Sequence, residues 1–335
     1  MPGIFADSHG KRVVREQWNT PLLRHLHDRY GFTYRYFGLP GPDILDIELW
    51  RDMIKEVIAF EVPVEGARDE RINIIKLREK LELRGIPNET YYGPFEQVIL
   101  LGRDFDGQIY NQENVITLYN LDFCGEVGSR IKSSTGEEYY RFEAIRQVIR
   151  NQAQCFSRLG HQSCFLILLT VRNQINSWVL QERLAACRPI CEDFVRACES
   201  KIPIVEGKKL IGTHAWGLKT IILTIFSECL KGNNISALFF PFVKYEGVRK
   251  RISRTETIPS PMLHFMIFCK FQHPREVTGV GVPSNPFELK SLAVRDGSLI
   301  VSPEPGEVSD GHLSAVEYFE ALKGGILRED ECLVS

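Results

Sequence analysis

The sequence predicts a doubly wound α/β fold: a mostly parallel sheet with an antiparallel edge hairpin, an N-terminal helix and a small C-terminal module. Three observations carry that expectation. Apolar or aromatic runs alternate with helical periodicities from residue 32 to residue 171, the pattern of parallel strands joined by crossover helices. Two later apolar runs, Ile235 to Tyr245 and Met262 to Phe271, have no helix between them, so they should pair antiparallel. The length, 335 residues, suits about two domains of ~150 residues or one large sheet with an appendage.

Each element has its own signal. Val13, Val14, Trp18, Leu22, Leu23 and Leu26 give residues 11 to 30 an amphipathic helical face, interrupted at Thr20-Pro21. Phe32 to Phe37 is an aromatic strand running into the turn Gly38-Leu39-Pro40-Gly41-Pro42. Asp43 can cap the next helix, which carries Ile44, Leu45, Ile47, Leu49, Trp50, Met53 and Ile54. Val57 to Phe60 is a short buried strand ending at Glu61, and Arg68 to Leu83 a charged amphipathic helix stopped by Gly85 and Pro87. Thr90 to Leu101 holds a strand and a Gly-Pro turn. Asn114 to Asn120 is a strand closed by Leu121-Asp122-Phe123-Cys124-Gly125. Phe142 to Leu159 is a helix, Ser163 to Val171 a fully buried strand, and Ile175 to Glu199 a helix; Leu210 to Leu230 has helical length. The expected organisation is 1–31 helical, 32–274 sheet domain and 275–335 C-terminal module.

Composition narrows the function classes. With 44% hydrophobic and 25% charged residues, the chain is not disordered, collagen-like or a coiled coil. Lys+Arg of 41 against Asp+Glu of 43 gives a net charge of −2, so any nucleic-acid contact must come from a local patch. No apolar run approaches the ~18 residues of a membrane span. Met1 to Gly10 lacks a basic-then-apolar leader, and a cytoplasmic protein is expected. The nine cysteines include no CxxC pair. Leu180, Leu184, Cys187, Cys191, Phe194 and Cys198 step by helical spacing, so the thiols read as core packing and no metal site is expected.

In an open α/β sheet a ligand sits beyond the carboxyl ends of the strands, near the reversal of strand order. The candidate residues are therefore those ending each strand: Gly38, Leu39, Pro40 and Gly41 after the first, where a ligand can approach backbone, and Glu61 after the second. Glu61 lies about 20 residues on, the spacing at which an acid bonds ribose hydroxyls in dinucleotide-binding units. A carboxylate offers a vicinal diol two acceptor oxygens. Tyr92, Gly93 and Glu96 follow the third strand; Asn120, Asp122 and Phe123 follow the fourth. The stretch Lys244, Arg249, Lys250, Arg251 and Arg254 forms a basic hairpin.

This order of strands and strand-end residues resembles the class I Rossmann-like S-adenosylmethionine-dependent methyltransferase fold over roughly residues 30 to 272. Within that class it is most similar to the bacterial three-Cys-motif partner proteins, in its aromatic first strand, Gly-Pro-Gly-like turn and Asp-Pro-Phe-Gly-like sequence after the fourth strand. The resemblance implies S-adenosylmethionine as cofactor, with Gly38 to Gly41 near its methionine part, Glu61 on its ribose, and a methyl acceptor beside Asn120, Asp122 and Phe123. Asn120-Leu121-Asp122-Phe123 keeps the polar first and aromatic last residues of the amino-methylating (D/N/S)PP(Y/F) motif without its prolines. Cys124 lacks the preceding proline of a cytosine-C5 nucleophile. Three readings follow: a methyltransferase of unknown acceptor, a non-catalytic Rossmann-like partner or sensor module, and a nucleic-acid-directed protein gripping phosphates with residues 244–254.

Overall fold

The computed structural model describes residues 8–64, 68–123, 125–133, 135–159, 164–172, 204–205, 208–209, 226, 229–230, 232–240, 243–250, 257–272, 299–300 and 315–323. The element order is α1 (His9–Val13), a π-helical turn (Val14–Asn19), α2 (Thr20–Tyr30), β1 (Tyr34–Gly38), α3 (Leu45–Leu49), β2 (Ile54–Glu61), α4 (Ile72–Leu83), β3 (Asn88–Tyr92), α5 (Phe95–Leu101), β4 (Leu118–Asp122), β5 (Arg130–Lys132), β6 (Glu138–Tyr140), α6 (Arg141–Leu159) and β7 (Cys164–Arg172). Then follow β8 (Ile204–Val205), β9 (Lys208–Lys209), β10 (Ile235–Phe239), β11 (Val243–Lys250), β12 (Thr257–Phe271), β13 (Leu299–Ile300) and a late helix, α7 (Ala315–Leu322).

The main sheet has nine strands in the order β13-β11-β12-β7-β4-β1-β2-β3, with β10 pairing β12 beyond the end of β11. Strands β3, β2, β1, β4 and β7 are parallel, and β12 is antiparallel to both β7 and β11. This is the doubly wound, mostly parallel α/β sheet with an antiparallel edge that the sequence predicts. The direction of winding reverses between β1 and β4, which makes their carboxyl ends the switch point.

Two buried clusters hold the layers together. One joins Phe37, Phe60, Phe95, Phe123, Ile145 and Ile167; the other joins Trp18, Leu26, Tyr36, Trp50, Leu168 and Phe319. Phe319 of α7 meets Tyr30 edge-on at 5.9 Å, and Glu320 accepts from Tyr30 Oη at 2.8 Å, so α7 shares a core with the N-terminal helix.

Local departures from expectation have physical causes. Thr20-Pro21 does not break the opening helix; Pro21 sits in the first turn of α2, where no N–H is needed. Asp43 does not cap α3: Ile44 occupies the N-cap position at φ 49° with no side-chain cap, and Asp43 pairs with Lys80 at 2.9 Å. The fourth strand starts at Leu118 rather than Asn114, since Gln152 takes both Ile116 N–H and Ile116 C=O off the ladder, and it ends at Asp122. The β5–β6 hairpin has no counterpart in the sequence reading. The run Ile235 to Tyr245 is two strands, divided at 241–242 outside the described residues. The cysteine-bearing stretch 175–199 also lies outside them, as does most of 210–230. Cys155, Cys229 and Cys269 are buried. No helix among the described residues is long and apolar enough to cross a membrane, and no group of three His, Cys, Asp or Glu among them could hold a metal ion.

Candidate functional site

The switch point is built by a close approach of two strands. Gly38 pairs with Asn120, and a Cβ at Gly38 would lie 2.1 Å from Asn120 O. Glycine is therefore required here by the neighbouring strand. Leu39 N–H donates to Asn120 O at 3.2 Å, which ties the start of the loop to β4. Pro40 is half-buried, and Gly41 turns the chain at φ +67° with open space around it, a conformation that favours glycine.

That turn returns α3 over the end of β4. Asn120 Nδ2 donates to Asp46 Oδ2 at 2.7 Å and to Tyr36 Oη at 3.1 Å. Asp46 also pairs with Arg15 Nε from the N-terminal helix. Burial pushes the Asp46 carboxyl above its ordinary value, although Arg15 and Asn120 pull it down. Lys11 Nζ reaches Asp122 Oδ2 at 2.5 Å, while Asp122 Oδ1 is buried with no hydrogen-bond partner. Arg15 projects from the π-helical turn, and its carbonyl accepts from both the backbone N–H and the Oγ1 of Thr20, the latter at 2.7 Å; such turns are frequent at functional positions. Two cations from the N-terminal helix thus meet two carboxylates at the switch point.

Behind them lies a neutral histidine. His264 of β12 bonds Thr170 Oγ1 at 2.8 Å through Nδ1 and Asn19 Oδ1 at 2.9 Å through Nε2. Asn19 Oδ1 only accepts, so Nε2 carries the proton and Nδ1 accepts from the threonine hydroxyl. Burial lowers this histidine to about 4, with Asp122 opposing.

The other half of the site lies across β1. Glu61 ends β2, is buried, and is pushed up to about 7 by that burial, against hydrogen bonds from Asn73 and the Val62 backbone. Gly93 N–H donates to Glu61 O at 2.9 Å, fixing the β3 loop beside it. Phe105, 46% exposed, meets Tyr92 edge-on at 5.8 Å. The Arg71 guanidinium covers Tyr92 at 5.2 Å and pairs with Asp106. Buried Asp104 anchors the loop by accepting from Tyr92, Asp106 and Gln108 N–H groups.

The expected site residues therefore fall into groups. Gly38, Leu39, Asn120 and Asp122 converge at the switch point, and Glu61 stands two strand positions from β4, on the far side of β1. Glu96 and Phe123 meet elsewhere. Glu96 pairs with Arg141 Nε at 2.6 Å in a nearly dry setting, and the same guanidinium lies 4.2 Å over the Phe123 ring, which packs on Phe95. That core contact accounts for both residues without a ligand: Arg141 needs a buried counter-charge, and it holds the loop through Glu126 O at 2.7 Å. Lys244, Arg249 and Lys250 are backbone positions of β11; Arg251 and Arg254 lie outside the described residues, as does Cys124. Sequence reasoning missed Lys11, Arg15, Asp46, Asn19, Thr170 and His264. The i, i+4 spacing of Lys11 and Arg15 was the one local signal, since it sets two cations on one helical face.

A ribose-bearing cofactor fits the Glu61 half: a buried carboxylate without a cation against it among the described residues, beside a half-exposed ring. At the switch point the residues are already paired with one another, and Asp122 Oδ1 is the acceptor left over.

No protein-family model matches the chain, and no curated protein matches its sequence. Among solved structures, the YcgJ protein of Bacillus subtilis aligns at 8% identity and a TM-score of 0.35, over 75% of this chain and 99% of that one. Magnesium protoporphyrin IX methyltransferase from Synechocystis, solved with bound SAH, aligns at 8% identity and a TM-score of 0.33, over 79% and 86%. A SAM-dependent methyltransferase from Agrobacterium tumefaciens aligns at 8% identity and a TM-score of 0.30, over 76% of this chain and 61% of that one.

Proposed function

We propose that this chain binds an adenosyl ligand across the carboxyl ends of β1, β2 and β3, and that it is an S-adenosylmethionine-dependent methyltransferase whose acceptor lies beside Asp122. The observation that carries the reading is Glu61: a buried carboxyl at the end of β2, raised to about 7, one strand from the switch point of a methyltransferase-type sheet. A buried carboxylate without a counter-charge is costly, and two ribose hydroxyls would supply the donors that favour its ionised form. Phe105 and Tyr92 offer the adjoining flat surface.

When bound, the cofactor supplies an activated methyl group on a sulfonium. What remains for the protein is alignment and exclusion of water. Asn120 holds Asp46 and Tyr36 in place, and Asp122 Oδ1 accepts a hydrogen bond from an acceptor amine or hydroxyl. The likeness to three-Cys-motif partner proteins belongs to this proposal and rests on the β1 turn and the residues after β4.

A second reading, a non-catalytic module, is favoured by the paired state of Asp46 and Asp122, which leaves the switch point charge-balanced without a ligand. The nucleic-acid reading rests on the basic sequence of 244–254 alone; salt-dependent oligonucleotide binding abolished by charge reversal at Arg249, Lys250 and Arg251 would support it. Calorimetric titration with S-adenosylmethionine, S-adenosylhomocysteine and NAD decides the main question. Micromolar binding of the adenosyl pair alone, weakened by Glu61→Ala, is expected; no binding of either would leave the non-catalytic reading.

A further inference from the structure

A groove lined by described residues lies away from the switch point. Its lining includes Phe271, and β12 runs antiparallel to β7, with Lys270 opposite Cys164 and Met262 opposite Arg172. The groove therefore sits at the amino ends of the parallel strands, at the opposite end from Gly38 and Asp122. It encloses about 1060 Å³ between α6, the end of α5, segment 110–112 and the turn at 232–234. That matches or exceeds the ~300–1,000 Å³ of a small-molecule site.

Its chemistry is polar and one-sided in charge. Helix α6 presents Gln147, Arg150, Asn151, Gln154 and Arg158 to it at three- and four-residue spacing, the signature of one helical face. No Asp or Glu lines it among the described residues, although 43 of the 335 residues are acidic. One lining residue does touch a carboxylate: Asn111 Nδ2 donates to Glu113 Oε1 at 3.3 Å. Arg150 bonds only the neighbouring Gln147 amide, at 3.2 Å. Arg158 bonds Gln112 O at 3.4 Å and Cys155 Sγ at 3.3 Å. Among the described residues, neither guanidinium group has an acid partner.

We propose that this groove is a docking site for an extended acidic peptide of a partner protein. Asn and Gln side chains offer both a donor and an acceptor, which is what the N–H and C=O of an extended backbone need. Arg150 and Arg158 are eight residues apart, about 12 Å along a helix axis. An extended peptide advances about 3.3 Å per residue, so acids at positions i and i+4 of such a peptide, on one face, reach both arginines. A single-stranded nucleic acid fits less well, because it is held by exposed rings on which bases stack, and the two aromatic residues lining the groove, Tyr110 and Phe271, are 7% and 1% exposed.

Fluorescence anisotropy on the full chain tests this with labelled, serine-rich peptides of equal length, carrying Glu at i and i+4, adjacent Glu pairs, or Lys at i and i+4, beside an oligouridylate. The i, i+4 Glu peptide is expected to bind most tightly and to lose about tenfold or more on Arg150→Glu, through like-charge repulsion. Gln154→Ala should weaken it by a smaller factor, and Glu61→Ala should leave it unchanged, which separates this groove from the adenosyl site. Equal binding of the Lys peptide, tighter binding of the oligouridylate, or indifference to Arg150→Glu in a variant with unchanged circular dichroism would overturn the proposal.

Discussion

Replacing Arg15 with Met isolates the energetics of the switch point. Arg15 and Asp46 are each only 14% exposed at the side chain. Removing one partner of a buried pair costs about 3–5 kcal/mol, because the other charge is left uncompensated. Asn120 still donates to Asp46 at 2.7 Å, which places the expected loss at the lower end, about 3 kcal/mol, or a Tm lower by about 4 °C for a chain of this size. The loss must also depend on pH. Asp46 is already raised by burial, and removing the arginine raises it further. A carboxyl whose folded value exceeds its unfolded one stabilises the fold while protonated and loses that contribution as pH rises through the folded value. The Arg15→Met defect should therefore be largest near pH 8 and shrink toward pH 5. Urea unfolding of the wild type, Arg15→Met, Asp46→Asn and the double variant measures it, and the double variant should recover most of the loss, since no buried charge is left unpaired. A defect below about 1 kcal/mol, or one of equal size at both pH values, would show that the pair is solvated and that the reasoning fails.

Three further outcomes are expected. His264, held at about 4 against an ordinary value of 6.5, leaves the unfolded chain to take up a proton first, so about 3 kcal/mol is lost as pH falls from about 6.5 to 4; unfolding curves for His264→Gln should lack that part of the slope. Glu61 at about 7 is partly protonated at pH 6.5, so an adenosyl ligand whose hydroxyls bond its ionised form should release a fraction of a proton. Calorimetry in buffers of different ionisation enthalpy reads that release, and Glu61→Gln should abolish it. Gly38→Ala sets a methyl 2.1 Å from Asn120 O, and forcing β1 from β4 should cost about 1–3 kcal/mol in thermal unfolding.

Much of the fold was legible because most strands of the main sheet announce themselves locally. Phe32 to Phe37, Val57 to Phe60 and Cys164 to Val171 are runs whose neighbours cannot change their character, and alternation with helices implies parallel pairing. Boundaries were less legible where a tertiary contact decides them: nothing near Ile116 in sequence shows that Gln152, thirty-six residues on, will take its backbone groups. The split of 235–245 depends on two partners sharing one long strand, β12, which no local window contains.

The candidate site was read by the same logic, and that logic meets the same limit. Strand-end residues follow from topology, so Gly38, Glu61, Asn120 and Asp122 could be named from strand order alone. Phe123 and Glu96 share that address, yet strand order says nothing about which way a side chain turns, and Arg141 claims both. Lys11 and Arg15 are the converse case. They are far from every strand end in sequence and arrive only because Trp18, Leu22 and Leu26 bury the N-terminal helix in the core beside Tyr36. The hydrophobic face that anchors this helix also fixes where its cations point. The charge balance at the switch point is thus a consequence of core packing, and any ligand that takes a carboxylate there must do so against the ion pairs of Lys11 and Arg15.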